Sequence, residues 1–214
     1  MKTLIFTVSI FILTDIHAQV TFDKTIEQQY QDAYDKLPAW LKEKDHEAYK
    51  DTAFYVGTVV LTEYIIDTLN KDEVTTKIDF KGDTTPSYNL SFCAGLVKSD
   101  TLFIGIGTQF FSQSIQHTIF KNSVRTNYNQ YRDNDSIFRT EITNNKTSDL
   151  TISAETIHFI LNDDKFATDK IIYGYAEIVT RPYFEDAYFF RNGYIKKRLK
   201  YKYYFQFKPT KNGT

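Results

Sequence analysis

The longest pattern in the sequence is an alternation of apolar and polar residues with a period of two, typical of half-buried strands. It is clearest at the end, where positions 199, 201, 203, 205 and 207 are all apolar or aromatic. Short polar turns such as Lys98-Ser99-Asp100 separate the strand patterns, and no helical pattern lies between them, which indicates an antiparallel sheet. The predicted strands are residues 54–66, 74–80, 88–96, 102–106, 110–121, 123–131, 137–142, 150–161, 171–180 and 199–208.

In the first part of the chain the apolar residues recur with the period of a helix instead. Between residues 22 and 51 apolar side chains recur every three or four positions, opposite a side of acidic and amide residues. Pro38 interrupts this stripe because it lacks an N–H, so we predict two helices, the second over residues 39–49 with Trp40 packing the pair onto the sheet. The predicted fold class is α+β, mainly β: an N-terminal helix pair packed on a strongly curved antiparallel sheet, open-barrel or sandwich-like. Residues 151–168 also allow a short helix.

The first 18 residues are typical of a secretory signal peptide. Lys2 supplies a positive charge, residues 3–13 form a short apolar run, and Ala18 occupies the expected cleavage position. The apolar run is about half the roughly 20 residues that a membrane-spanning helix needs, and no later segment resembles one. We therefore predict a signal peptide over residues 1–18 and one globular domain over 19–214, secreted or located in the periplasm or cell envelope. An uncleaved anchor or a buried strand is the alternative.

Composition narrows the class of protein. The 214 residues contain 26 Lys and Arg against 27 Asp and Glu, for a net charge of −1. This balance excludes a polybasic nucleic-acid binder, and the 42% of hydrophobic residues excludes a disordered chain. Aromatic residues reach 16%, which is unusually high. The single cysteine, Cys93, has no partner for an internal disulfide.

The sequence motifs for cofactor and metal binding are incomplete. Gly105 and Gly107 are followed by Phe110, where a dinucleotide-binding loop needs Gly. A partial zinc-protease motif starts at His46, but Lys50 stands in place of its second His. We predict no cofactor, no metal site and no nucleic-acid partner.

Isolated cysteine and histidine residues offer little for nucleophilic catalysis. Cys93 and His117 would need an acid to form a thiol triad, and Cys93 lies among small residues typical of packing. His117 and His158 each lie between apolar residues, so we interpret both as structural histidines.

Five Asp-Thr or Asp-Ser pairs, at residues 51, 67, 83, 100 and 135, resemble the short acceptor motif of a periplasmic O-glycosylation system in some Gram-negative bacteria. The alternative is that each pair simply leaves a turn and enters a strand.

A candidate binding face lies on the strand from residue 171. Small apolar residues at 172, 174, 176 and 178 suit the core, whereas the alternate positions carry tyrosine and charged residues. Tyrosine combines a large apolar ring with a polar tip, so it binds ligands while tolerating water. If the last strand is a neighbour, its tyrosines extend this platform. The predicted ligand-binding residues are Tyr173, Tyr175, Glu177, Arg181, Tyr201 and Tyr203. The alternative is structural: cross-strand tyrosine pairs and a surface ion pair between Glu177 and Arg181.

These observations favour an exported, soluble, non-enzymatic binding protein for a small molecule, glycan or protein. The first alternative is a structural or accessory cell-envelope protein whose strand edges bind a protein partner. The second is a secreted hydrolase with Glu177 or Glu155 as acid or base.

Cleavage of the signal peptide sets the first residue of the exported product. N-terminal sequencing of the secreted protein is expected to begin at or near Gln19. An exported product that retains Met1 would contradict this prediction.

Overall fold

The computed structural model describes residues 18–37, 39, 42, 57–69, 89–107, 113–133, 135–141, 145–186 and 194–211, with the backbone alone at 57–69, 89–91 and 195. The predicted signal peptide as far as residue 17, the predicted strand 74–80 and most of the predicted second helix, including Trp40, lie outside these residues. The elements in chain order are β1 (Ala18–Gln19), β2 (Thr21–Phe22), α1 (Ile26–Asp35), β3 (Gly57–Leu69), β4 (Asn89–Lys98), β5 (Thr101–Gly107), β6 (Gln113–Phe120), β7 (Ser123–Tyr131), β8 (Phe138–Arg139), β9 (Asp149–Leu161), β10 (Ile172–Thr180), β11 (Tyr183–Asp186), β12 (Tyr194–Phe207) and β13 (Thr210–Lys211).

The strands form one large mixed sheet, in which most pairs are antiparallel. Its hydrogen-bonded order is β1-β7-β6-β5-β4-β3-β12-β10-β9-β2, and β11 pairs with both β12 and β8. The two parallel pairs, β2 with β9 and β13 with β4, involve the shortest strands. Strand β9 pairs with β10 through its second half and with β7 through its first half. Strands far apart in the order are thereby brought together, so the sheet curls around its apolar side.

The prediction of a mainly β fold is confirmed, whereas the predicted helix pair is not borne out. One helix, Ile26–Asp35, is complete within the described residues; residues 39 and 42 are helical, and the rest of the predicted second helix lies outside the described residues. Helix α1 starts later than residue 22 because Thr21 and Phe22 pair with β9 instead. It ends shortly before Pro38, since the residue that precedes a proline disfavours helical backbone angles. The helix buries Ile26 and Tyr30 and packs on β10 and β12.

Local predictions had mixed outcomes. The predicted turn after Lys98 is confirmed: Lys98 pairs with Thr101, and Ser99 takes a left-handed backbone with a φ of 54°. Residues 149–161 are a strand, which excludes the alternative of a helix that opens at residue 151. Of the predicted strand 137–142, residues 137–141 are described, and of these Phe138 and Arg139 form a strand.

Two glycines make room for two large core side chains of β12. Phe205 lies opposite Gly174 in the β10–β12 register, and both Phe205 and Phe207 are fully buried. A Cβ atom added at Gly174 would lie 2.2 Å from Cζ of Phe205, and one added at Gly95 would lie 2.1 Å from Cδ2 of Phe207. The phenylalanine rings therefore cover the glycine backbones directly, and this contact fixes which side of β12 faces the core.

Because these rings are enclosed, we expect Gly174→Ala to destabilise the protein by about 1–3 kcal/mol through overpacking. The matched control is Gly105→Ala, since a Cβ there meets no atom within 4 Å. Urea unfolding of the two variants measures the difference. Equal free energies of unfolding for the two variants would contradict the close approach of Phe205 to Gly174.

Candidate functional site: an arginine groove on the outer face of the sheet

The two strands that carry the predicted binding face are neighbours, as the prediction requires, but their tyrosines point to opposite sides. Tyr175 lies opposite Tyr204, whereas Tyr203 lies opposite the core residue Ala176. Tyr201 and Tyr203 are only 4% and 1% exposed. The prediction that these two residues extend the platform is wrong, because they face the core.

Tyr203 belongs to a buried polar network inside the sheet. Its hydroxyl lies 2.6 Å from Nε2 of His117, whose Nδ1 lies 2.8 Å from Oγ1 of Thr126. Thr126 in turn hydrogen-bonds Thr156 at 2.7 Å. Burial lowers the pKa of His117 to about 3, so the ring is neutral, with one nitrogen donating and the other accepting. His117 is therefore a structural histidine, as predicted.

Cys93 and His158 lie in different environments. Cys93 is fully buried, and burial raises the pKa of its thiol above the ordinary value, which disfavours the reactive thiolate. The structure supports the interpretation of Cys93 as a packing residue. His158 was interpreted as structural, but it is exposed beside a bulge in β9 and lies opposite Glu177.

Tyrosines at one end of the predicted binding face contact helix α1. The rings of Tyr173 and Tyr30 are 5.4 Å apart between centroids, and the hydroxyl of Tyr204 donates to Oε1 of Gln29 at 3.3 Å. The Tyr175 and Tyr204 rings pack against each other at 4.9 Å. These tyrosines therefore seat α1 on the sheet, and they are half-buried rather than an open platform.

Glu177 lies in the middle of the outer face and is 7% exposed. It forms a salt bridge with Lys200, and its Oε1 lies 3.6 Å from Nζ of Lys202. Burial alone raises the pKa of Glu177, but the hydrogen bond from Lys200 and the charges of both lysines and of His158 outweigh it, so the pKa is lowered. Among the described residues the salt bridges of Glu177 are with lysines, and the predicted pair with Arg181 does not form.

Arg181 instead lines a groove on the same outer side of the sheet, beyond Glu177. The groove has a volume of about 160 Å³. Four strands, β7, β9, β10 and β12, and the segment after β10 supply its walls. We call it the arginine groove, and its polar lining residues are Arg125, Thr126, Ser153, Glu155, Thr180, Arg181 and Arg198.

The groove opens where the ladder along β12 is interrupted. Val179 pairs with Lys200 and Tyr183 with Lys197, so residues 180–182 lie opposite only residues 198–199. Pro182, which lacks an N–H, falls within this bulge. Oγ1 of Thr180 accepts from the backbone N–H of Leu199 at 2.9 Å, and the backbone N–H of Arg181 donates to the carbonyl of Ser153 at 3.1 Å. The extra residue redirects the chain and leaves the Arg181 side chain at the groove.

The groove is electropositive. It carries three guanidinium groups and one carboxylate, Glu155. Among the described residues Glu155 forms one salt bridge, with Arg198, at 3.8 Å between Oε2 and Nη2, and both side chains are about half exposed, so this pair is weak. In the part of the chain that the structure describes, no salt bridge involves Arg125 or Arg181. A guanidinium presents five N–H donors in a planar fork, so this arrangement suits an oxyanion.

Sequence reasoning included Arg181 but missed Arg125 and Arg198. Arg198 carried a signal, since it continues the basic positions 196, 200 and 202 on one side of β12. The sequence gives no such signal for Arg125, because this residue approaches the groove only through the pairing of β7 with β9.

The described residues contain no group of three or more His, Cys, Asp or Glu side chains placed to hold a metal ion. No described helix combines the length and apolar character needed to cross a membrane. In comparisons with known proteins, no protein-family model, no curated protein and no solved structure matches the chain.

The lowered pKa of Glu177 makes its contribution to stability depend on pH. Above 4.5, the ordinary Glu value, the carboxylate favours the folded state, and this contribution is lost as the pH falls through the lower pKa of the folded state. We expect Glu177→Gln to be less stable than the wild type at neutral pH and the difference to shrink on acidification. Urea unfolding across pH measures it, with the exposed Glu141→Gln as control. A difference that is constant with pH would contradict the lowered pKa.

Proposed function

We propose that the protein is an exported, non-enzymatic binding protein that holds a carboxylate group of its ligand in the arginine groove. Export rests on the signal-like residues 1–18 of the sequence. Binding of an anion is carried by one observation, the convergence of Arg125, Arg181 and Arg198 on a groove that contains a single carboxylate. Planar guanidinium groups match carboxylates in shape as well as in charge.

The size of the groove supports the capture of one chemical group rather than of a whole ligand. Its volume of about 160 Å³ is below the roughly 300–1,000 Å³ that encloses a drug-sized molecule. A carboxylate fits, and the rest of the ligand then lies on the surrounding surface.

A hydrolase is less well supported than a binding protein. Glycoside hydrolysis generally uses two carboxyl groups that flank the scissile bond, one of them with a raised pKa. The groove contains only Glu155, and the pKa of Glu177 is lowered, opposite to the requirement for a general acid at neutral pH.

Calorimetric titration at low ionic strength tests the proposal with galacturonate and, as the uncharged analogue, galactose. We expect galacturonate to bind and galactose not to bind. Arg181→Ala removes charge-assisted hydrogen bonds and is expected to weaken galacturonate binding by about tenfold or more. Arg132→Ala, which removes an exposed arginine outside the groove, is the matched control. Equal binding of the two sugars, or no effect of Arg181→Ala, would contradict the proposal.

A further inference from the structure

We infer that the ligand is a linear polysaccharide whose sugars carry carboxylates, and that it runs from the arginine groove along the outer face of β12. The inference rests on the proposed function, because one carboxylate of the chain occupies the groove. It adds the class of ligand and a second set of binding residues.

The outer face of β12 carries four successive basic residues. Lys196, Arg198, Lys200 and Lys202 alternate with residues on the opposite side of the strand. Lys196 is exposed, and the side chains of Arg198 and Lys202 are 50% and 41% exposed. Alternate residues of a strand lie about 7 Å apart, so the row spans about 20 Å from Lys196 to Lys202. A row of this length contacts several units of a chain molecule.

The acidic residues beside this row do not neutralise it. Lys200 and Lys202 share one carboxylate, Glu177, and Arg198 contacts Glu155 at 3.8 Å. Within the described residues Lys196 forms no salt bridge. The residues opposite the row on β3 are uncharged, namely Thr62, Tyr64, Ile66 and Thr68. With Arg125 and Arg181 at the groove, six basic side chains are set against two acidic ones, Glu155 and Glu177, among the residues that the structure describes, although the whole chain has a net charge of −1.

Half-buried aromatic side chains lie at both ends of the row. Tyr204 and Tyr175 pack together beyond Lys202. At the other end, Phe184 of β11 lies opposite Lys196, and its ring is 5.3 Å from that of Tyr194 at an interplanar angle of 82°. The Phe184 and Tyr194 rings offer an apolar surface on which a sugar ring packs, and the Tyr194 hydroxyl offers a hydrogen bond.

The order of these residues favours a polysaccharide over single-stranded nucleic acid. Proteins that bind single strands place aromatic rings along a basic track, so that successive bases stack. On the outer face of β12 itself no aromatic residue interrupts the basic run from 196 to 202, and the aromatic residues opposite the run, Phe184 and Tyr64, lie on the neighbouring strands. The guanidinium forks at the groove match planar carboxylates.

The test compares galacturonate with the linear hexamer of galacturonate, by calorimetry at low salt, on the full mature chain. We expect the hexamer to bind roughly a hundredfold more tightly than the monomer, because additional units engage the row. The double variant Lys196→Ala/Lys202→Ala is expected to weaken hexamer binding at least about tenfold and to leave monomer binding unchanged. The matched control is Lys98→Ala/Lys121→Ala, which removes two exposed lysines from hairpin turns.

The outcomes separate this inference from the proposed function. If galacturonate binds and the hexamer binds no more tightly, the inference is wrong while the proposed function stands. If neither binds, both fail. An equal effect of the two double variants on the hexamer would overturn the role of β12, and tighter binding of a single-stranded DNA oligomer than of the hexamer would overturn the class of ligand.

Discussion

The side of β12 that faces the core decides what this protein presents to its surroundings. On one side lie Leu199 and four aromatic residues, all at most 4% exposed, and the other side carries the basic row. Because side chains alternate with a period of two, a shift of register by one residue would expose the aromatic side and bury the cations. An unpaired buried cation costs several kcal/mol, so the alternative registers are strongly disfavoured. Packing in the core therefore holds the outer charges in place.

The local pattern of the sequence predicts the strands well, because alternation depends only on neighbouring residues. It does not reveal which side of a strand is buried when both sides carry amphipathic residues. Tyr201 and Tyr203 were placed on the binding face since tyrosine tolerates either environment. Their inward orientation depends on Gly174 and Gly95, which leave room for Phe205 and Phe207. These contacts join residues about 30 to 110 positions apart, beyond the reach of a periodicity argument.

The candidate site was only partly predictable for the same reason. Arg181 stands out in the sequence, but the groove forms because a bulge with Pro182 interrupts the β12 ladder and because β7 curls round to pair with β9. Arg125 joins the groove through that second pairing. The start of the helix was predicted too early for a related reason, since Phe22 was included in the helical segment but its backbone pairs with β9.

Hydroxyl-radical footprinting with mass spectrometry tests the orientation of β12 most directly, because it compares side chains of one type. The account predicts that Tyr201 and Tyr203 are protected in the folded protein, whereas Tyr131, which is 45% exposed, is modified quickly. Protection should disappear in urea. Modification of Tyr201 and Tyr203 in the folded protein as fast as that of Tyr131 would show that the tyrosine side of β12 faces solvent. The basic row and the groove would then lose their structural basis.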